Sequence, residues 1–268
     1  MKSYKLFYGV SRSPFRKDVP VPALLRYTQF DELAAYLDFV AEEGSTGLLT
    51  GEAGVGKSTA IRAFLARLDD RTYNVCYVGN TDSTRSVLRQ LAWSLGMRMV
   101  HLQGDLKDEV HQRIWTLWTE HAKRTILVVD EAQAFGSKAL GELRLLTNFN
   151  CDADSPLGLL LAGAPSLRAE MKQLPNKALD ERIMIRHHLA GLSAIETGQY
   201  VVAHLRAVDL PNDLFDDEAI GLVFQHSKGL PRKINKLCIQ ALIMGALKEV
   251  RPIDAAIIRA VVKDIDQE

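Results

Sequence analysis

The run Gly51-Glu52-Ala53-Gly54-Val55-Gly56-Lys57-Ser58, followed by Thr59, leaves a folding chain less freedom than any other part of this sequence. Its glycines reach backbone conformations closed to other residues, so the chain can curl tightly and turn its amides inward. The apolar stretch Gly47–Thr50 before it reads as a strand, and the stretch after it reads as a helix. A glycine-rich turn between strand and helix, backed by a helix N-terminus, is a cradle for phosphate. Lys57 would bridge the β- and γ-phosphates of ATP, and Ser58 would ligate Mg2+.

A second acidic feature complements the first. Ile126-Leu127-Val128-Val129 runs into Asp130 and Glu131, and a buried strand that ends in two acids needs a cation or proton donors there. Asp130 would orient the magnesium shell, and Glu131 would position and polarise the water that attacks the γ-phosphate. Enough chain separates the two motifs for a further strand, Asn74–Val78. That spacing favours a P-loop ATPase with a catalytic glutamate over a simple kinase.

The remaining pattern alternates short apolar runs with helical stretches, the mark of a mostly parallel α/β sheet. Strands are expected at Gly47–Thr50, Asn74–Val78, Ile126–Asp130, Leu159–Ala162 and Ile183–Leu189. Thr28 should cap a helix running to Glu43, with Gly44 as its stop. Asp108–Lys123 places Val110, Ile114, Leu117, Trp118 and His121 on one stripe, and Lys138–Phe149 does the same with Leu140, Leu143, Leu146 and Phe149; both stripes read as core. From Ser193 the texture is helical throughout, opening on the capping box Ser193-Ala194-Ile195-Glu196. The expected domains are an N-terminal arm (1–27), an α/β nucleotide-binding core (28–190) and a small helical lid (191–268).

Composition bounds what these motifs can mean. A chain of 268 residues with 47% hydrophobic content can fill a core without staples. Cys76, Cys151 and Cys238 lie far apart, which suggests buried free thiols and neither zinc nor a disulfide framework. The apolar runs LGLLLAGAP and CIQALIMGAL are too short to span a bilayer, and the N-terminus lacks a signal-peptide core, so a cytoplasmic protein without membrane insertion is expected. Net charge is zero, although the first 27 residues carry six basic groups against Asp18 alone.

Two arginines are placed to meet phosphate charge. Arg182 precedes the fifth strand, where it could reach a neighbouring subunit's nucleotide, and Arg232 opens a helix of the lid, where it could report on the same subunit's phosphates. For DNA phosphates the candidates are Thr84 and Arg85, within Asn80–Arg85 after the second strand, together with Lys107, Lys138 and Arg144. Phe7, Tyr8 and Phe15 could pack near an adenine or in an ordinary core.

The segments Tyr8–Phe15, Leu48–Thr59, Val128–Gln133, Leu140–Phe149, Asp180–Ser193 and Gly229–Leu237 resemble those of the ExeA-like AAA+ ATPases, over nearly the whole chain. The resemblance implies an arginine finger at Arg182, a second sensor at Arg232 and an oligomer, ring or helical filament, with ATP between subunits. One departure is Leu161-Ala162-Gly163-Ala164-Pro165, where relatives often carry Gln in place of Ala164. No first sensor is assigned there, and Ser166 is a poor substitute.

Similar proteins use this core in two ways. Secretion-type relatives follow it with a transmembrane helix and a peptidoglycan-binding module, neither of which is seen before Glu268. Stand-alone forms look like the MuB-, IstB-, TniB- and TnsC-type helper ATPases, which assemble on duplex DNA with ATP and recruit a transposase. Domain content favours the second use.

Overall fold

A computed structural model describes residues 4–16, 18–79, 83–97 and 106–266. In chain order its elements are α1 (Tyr4–Tyr8), α2 (Thr28–Glu43), β1 (Thr46–Gly51), α3 (Lys57–Leu65), β2 (Tyr73–Val78), α4 (Thr84–Ser94), α5 (Leu106–His121) and β3 (Arg124–Val129). Then come α6 (Ser137–Leu146), β4 (Leu157–Gly163), α7 (Ser166–Met171), α8 (Lys177–Asp180), β5 (Ile183–Leu189), α9 (Ala194–Arg206), α10 (Asp217–Ser227), α11 (Pro231–Lys248) and α12 (Ala255–Asp266). They form two compact units, one of Thr28–Ala53 and Lys57–Leu189, the other of Met1–Tyr27, Gly54–Gly56 and Ala190–Glu268.

The first unit is built on a five-stranded parallel sheet in the order β2-β3-β4-β1-β5. Its three inner strands are withdrawn from water along nearly their whole length because helices cover both faces, and Thr46, Thr50 and Thr125 are buried with the apolar residues. β1 and β4 are buried at every position, and β3 at all but its first. The edge strand β5 alternates instead, with Ile183 and Leu189 buried and Met184, Arg186 and His188 exposed. The expected strands are all present, most of them longer by one to three residues, and Asp130 falls just beyond the end of β3.

The core stripe on α5 is narrower than its periodicity predicts. Val110, Ile114 and Leu117 are buried, whereas His121 is exposed in the last turn and Trp118 is half-buried under the Arg124 guanidinium, 4.6 Å from the ring centre. On α6, Leu140, Leu143 and Leu146 are buried as expected. Phe149 is buried too, but beyond the helix, in a bridge to Asp154. Helix α2 begins at Thr28 itself, so this threonine lies inside the helix rather than capping it.

The second unit has its own core. The capping box predicted at Ser193 is formed: Ser193 Oγ accepts from the Glu196 N–H at 3.2 Å, and Glu196 Oε2 accepts from the Ser193 N–H at 2.8 Å. The N-terminal segment, expected as an arm, contributes Tyr8, Val10 and Phe15 to this core beside Val201, Leu205 and Phe215. Phe15 stacks on His204, with ring centres 5.4 Å apart. His204 Nδ1 lies 2.8 Å from the Pro14 carbonyl; burial pushes its pKa down, so the ring is neutral and Nδ1–H is the donor. Core packing thus accounts for Tyr8 and Phe15.

Cys76 and Cys238 are buried free thiols, but Cys151 is exposed, because it lies in the short turn before β4 rather than on a strand or helix face. Among the described residues, no helix is long and apolar enough to cross a membrane.

Gly44 ends α2 with φ +63°, and the Ser45 N–H returns to the Val40 carbonyl at 3.2 Å, a left-handed helix stop. A Cβ on Gly44 would run into the Ser155 carbonyl oxygen. Gly44→Ala should therefore lower stability by more than the roughly 1–2 kcal/mol of a left-handed alanine. Urea unfolding measures this, and an unchanged midpoint would refute the account.

Candidate functional site

The glycine turn between β1 and α3 takes the conformation its residues permit. Gly54 and Gly56 have φ of +84° and +113°, and a Cβ on Gly56 would enter open space with nothing within 4 Å. Lys57 is buried at 6% exposure and donates to the carbonyls of Gly51 at 2.8 Å and Glu52 at 3.3 Å. Its ammonium is thus folded back onto the first two residues of the turn. The tip, Gly54–Gly56, belongs with the helical unit. There the Arg232 N–H donates to the Gly54 carbonyl at 3.2 Å, and a Cβ on Gly54 would lie 2.6 Å from that of Arg232.

Asp130 is 4% exposed and fully engaged. Its Oδ2 accepts from Ser58 Oγ at 2.9 Å and Tyr77 Oη at 2.7 Å, and its Oδ1 from the Glu131 N–H at 2.9 Å. Ser58 and Asp130, both expected as magnesium ligands, are therefore adjacent although 72 residues apart. A hydroxyl beside a carboxylate next to a glycine-rich turn is a hard-oxygen donor set that fits Mg2+ shared with nucleotide phosphates. Tyr77 was not foreseen. Tyr77 is 45% exposed overall, but partial desolvation and then the Asp130 hydrogen bond push its phenol above its ordinary value, so it stays protonated and donates.

Glu131 is exposed and adopts the left-handed conformation, φ 55° and ψ 37°. Its Oε2 accepts from Gln133 Nε2 at 2.5 Å, while Gln133 Oε1 accepts from the Ala164 N–H at 3.0 Å. Gln133 is the second residue that sequence reasoning passed over, although it stands within the Val128–Gln133 segment. Ser166 is exposed at the start of α7.

Arg182 is held within its own chain. Nη2 meets both Asp152 carboxylate oxygens at 2.8 and 2.7 Å, and Nη1 donates to Thr147 Oγ1 at 2.9 Å. Asp152 closes a turn in which Asn150, Cys151 and Asp152 all have positive φ. Arg186 is engaged similarly, with Asp180 at 2.9 Å.

The suggested DNA contacts divide by exposure. Arg85 and Lys138 are exposed on the first turns of α4 and α6, while Lys107 and Arg144 are half-buried. Thr84 is buried at 7%, which removes it from the candidates. The cap is Ser83, whose side chain accepts from the Ser86 N–H, so the following threonine turns inward. Asn80, Thr81 and Asp82 lie outside the described residues.

Residues 41–171 match the AAA domain family. The chain is 32% identical over 249 residues to General secretion pathway protein A of Aeromonas hydrophila, covering 90% of this chain and 44% of that protein. It is 26% identical over 148 residues to the ATP-dependent target DNA activator B of Escherichia phage Mu, covering 54% of this chain and 44% of that one. The chain thus spans under half the length of either relative. Among solved structures, Cdc6p of Pyrobaculum aerophilum superposes with a TM-score of 0.72 at 12% identity, covering 94% of this chain and 70% of that one.

Lys57→Ala removes the ammonium and leaves the Gly51 and Glu52 carbonyls without it. ATP affinity should fall roughly tenfold or more, the value of a charge-assisted contact to phosphate. Calorimetric titration that finds unchanged affinity would defeat this assignment.

Proposed function

We propose that this chain, an AAA+ P-loop ATPase by fold and by the domain match over residues 41–171, hydrolyses ATP to time its assembly on duplex DNA and the recruitment of a transposase. The observation that carries the ATPase chemistry is the meeting of Ser58 and Asp130 at 2.9 Å beside the loop that holds Lys57. The amides of residues 51–59 and the Lys57 ammonium bind and orient the phosphates. Ser58 and Asp130 would hold magnesium, which when bound would neutralise charge on the phosphate oxygens. Glu131 orients and polarises the attacking water. Arg232 acts on the phosphates of its own subunit, and Arg182 on those of a neighbour in a ring or helical filament.

Similarity to a target DNA activator supports the DNA reading. Arg85 and Lys138, both exposed on helix first turns, suit contacts to phosphate oxygens, which carry little sequence preference. A cytoplasmic location follows from this role. The longer match to General secretion pathway protein A favours a second reading, an ATPase that assists assembly of a secretion system at the cell envelope.

Electron microscopy of the protein with duplex DNA and a non-hydrolysable ATP analogue separates the two. Rings or filaments on DNA are expected, dissolving as salt rises because phosphate contacts release counterions. A protein that ignores DNA in every nucleotide state would turn the choice to the envelope.

Glu131→Gln should bind ATP, turn over at least about a hundredfold more slowly and leave the ATP-bound assembly longer-lived. A parental rate in that variant would remove Glu131 from the mechanism.

Arg182→Ala should keep ATP binding and lose hydrolysis by roughly a thousandfold, the scale of an arginine finger. Mixing it with the Lys57→Ala protein creates interfaces where an intact loop faces an intact finger, so activity should partly return. Co-assembled mixtures that stay inactive at every ratio would defeat action in trans.

A further inference from the structure

Two hydrogen bonds join the carboxylate of Glu131 to the tip of β4, and both pass through one side chain. Gln133 Nε2 donates to Glu131 Oε2 at 2.5 Å, and Gln133 Oε1 accepts from the Ala164 N–H at 3.0 Å. The orientation of the amide follows from chemistry. A backbone N–H can only donate, so the carboxamide oxygen must face Ala164 and the NH2 must face Glu131. Three surroundings hold the side chain in this place. Gln133 lies in a short turn, Ala132–Ala134, whose first residue is fully buried. The turn closes through the Ala134 N–H to the Glu131 carbonyl at 2.9 Å. Gly163 leaves the necessary room, because a Cβ there would collide with Gln133 Oε1.

The tip of β4 itself offers no polar side chain in this position. Ala164 is apolar and Ser166 is exposed. β4 also lies between β1, which carries the phosphate loop, and β3, which carries Asp130. A link from Glu131 to this tip therefore connects the water-orienting group to the strand between the two halves of the nucleotide site.

We infer that Gln133 is the positioning residue of Glu131: its carboxamide, anchored on the Ala164 amide, sets the direction in which the carboxylate orients the water that attacks ATP. The inference rests on the reading of Glu131 as the water-orienting group. A neutral donor suits the task. It makes a charge-assisted bond to the carboxylate without adding a cation that would compete for it. The strained left-handed backbone at Glu131 does not by itself aim the side chain, and Gln133 supplies that restraint.

The test uses the full chain, ATP and a non-hydrolysable analogue. Gln133→Leu should lower kcat by roughly 10- to 100-fold, the scale of lost outer-shell orientation, with KM and analogue affinity within about twofold of parental, since uniform binding is untouched. Gln133→Glu keeps an acceptor for Ala164 but sets a second carboxylate against Glu131. Its kcat should fall at least as far as that of Gln133→Leu, because the new carboxylate pushes Glu131 away instead of holding it. A parental kcat in Gln133→Leu would overturn the inference. So would a parental kcat in Gln133→Glu, or loss of analogue binding in both variants. If Glu131→Gln itself hydrolyses at the parental rate, the premise falls and this inference with it. If Glu131→Gln is inactive while Gln133→Leu turns over normally, only the role of Gln133 fails.

Discussion

A carboxylate out of water at the end of an apolar strand is the constraint around which the nucleotide site is arranged. Asp130 is nearly inaccessible, and a buried charge is tolerated only with donors around it. It draws them from three parts of the sheet unit: Ser58 on α3, Tyr77 on β2 and the peptide N–H that follows it in the chain. Satisfying this one group brings the start of α3, the edge strand β2 and Glu131 into one place. The parallel sheet makes that convergence possible, because β1, β2 and β3 deliver Gly51, Tyr77 and Asp130 at the same, C-terminal, end.

Other charged groups around the sheet are restrained by neighbours of their own chain. Glu131 is gripped by Gln133, Lys57 is folded onto two loop carbonyls, and Arg182 is committed to Asp152 and Thr147. In the proposed mechanism Lys57 and Arg182 must exchange such partners for phosphate, whereas Glu131 keeps Gln133 while it orients the water. Residues that hold a functional group in its resting place are therefore as much a part of the chemistry as the groups themselves. For Arg182 this partner is presented by a turn of three consecutive left-handed residues, Asn150–Asp152. Such backbone persists only where its surroundings over-determine it.

The helical unit shows a different dependence. Its core includes Tyr8 and Phe15 from the start of the chain, and Arg12 donates to the Ala207 carbonyl at 2.7 Å while His204 holds Pro14. Periodicity marked its helices plainly. It could not mark these contacts, because short apolar segments such as Tyr8–Phe15 carry no period that names their destination.

The phosphate turn, the Asp130–Glu131 pair, the five strands and the capping box at Ser193 were legible because each depends on residues adjacent in the chain. Glycine's freedom, a strand's apolar run and a cap's reach act over a few positions. His121 and Thr84 were misjudged for the converse reason: a helical stripe or a polar cluster does not say where the neighbouring element stops covering it. Tyr77 and Asp130 are 53 residues apart, Gln133 and Ala164 are 31, and Arg182 and Asp152 are 30. Local sequence therefore determined which chemistry this chain could perform. Which side chains hold that chemistry in position was decided by tertiary structure alone, because hydrogen-bond partners are chosen by distance in space after the strands have been set side by side.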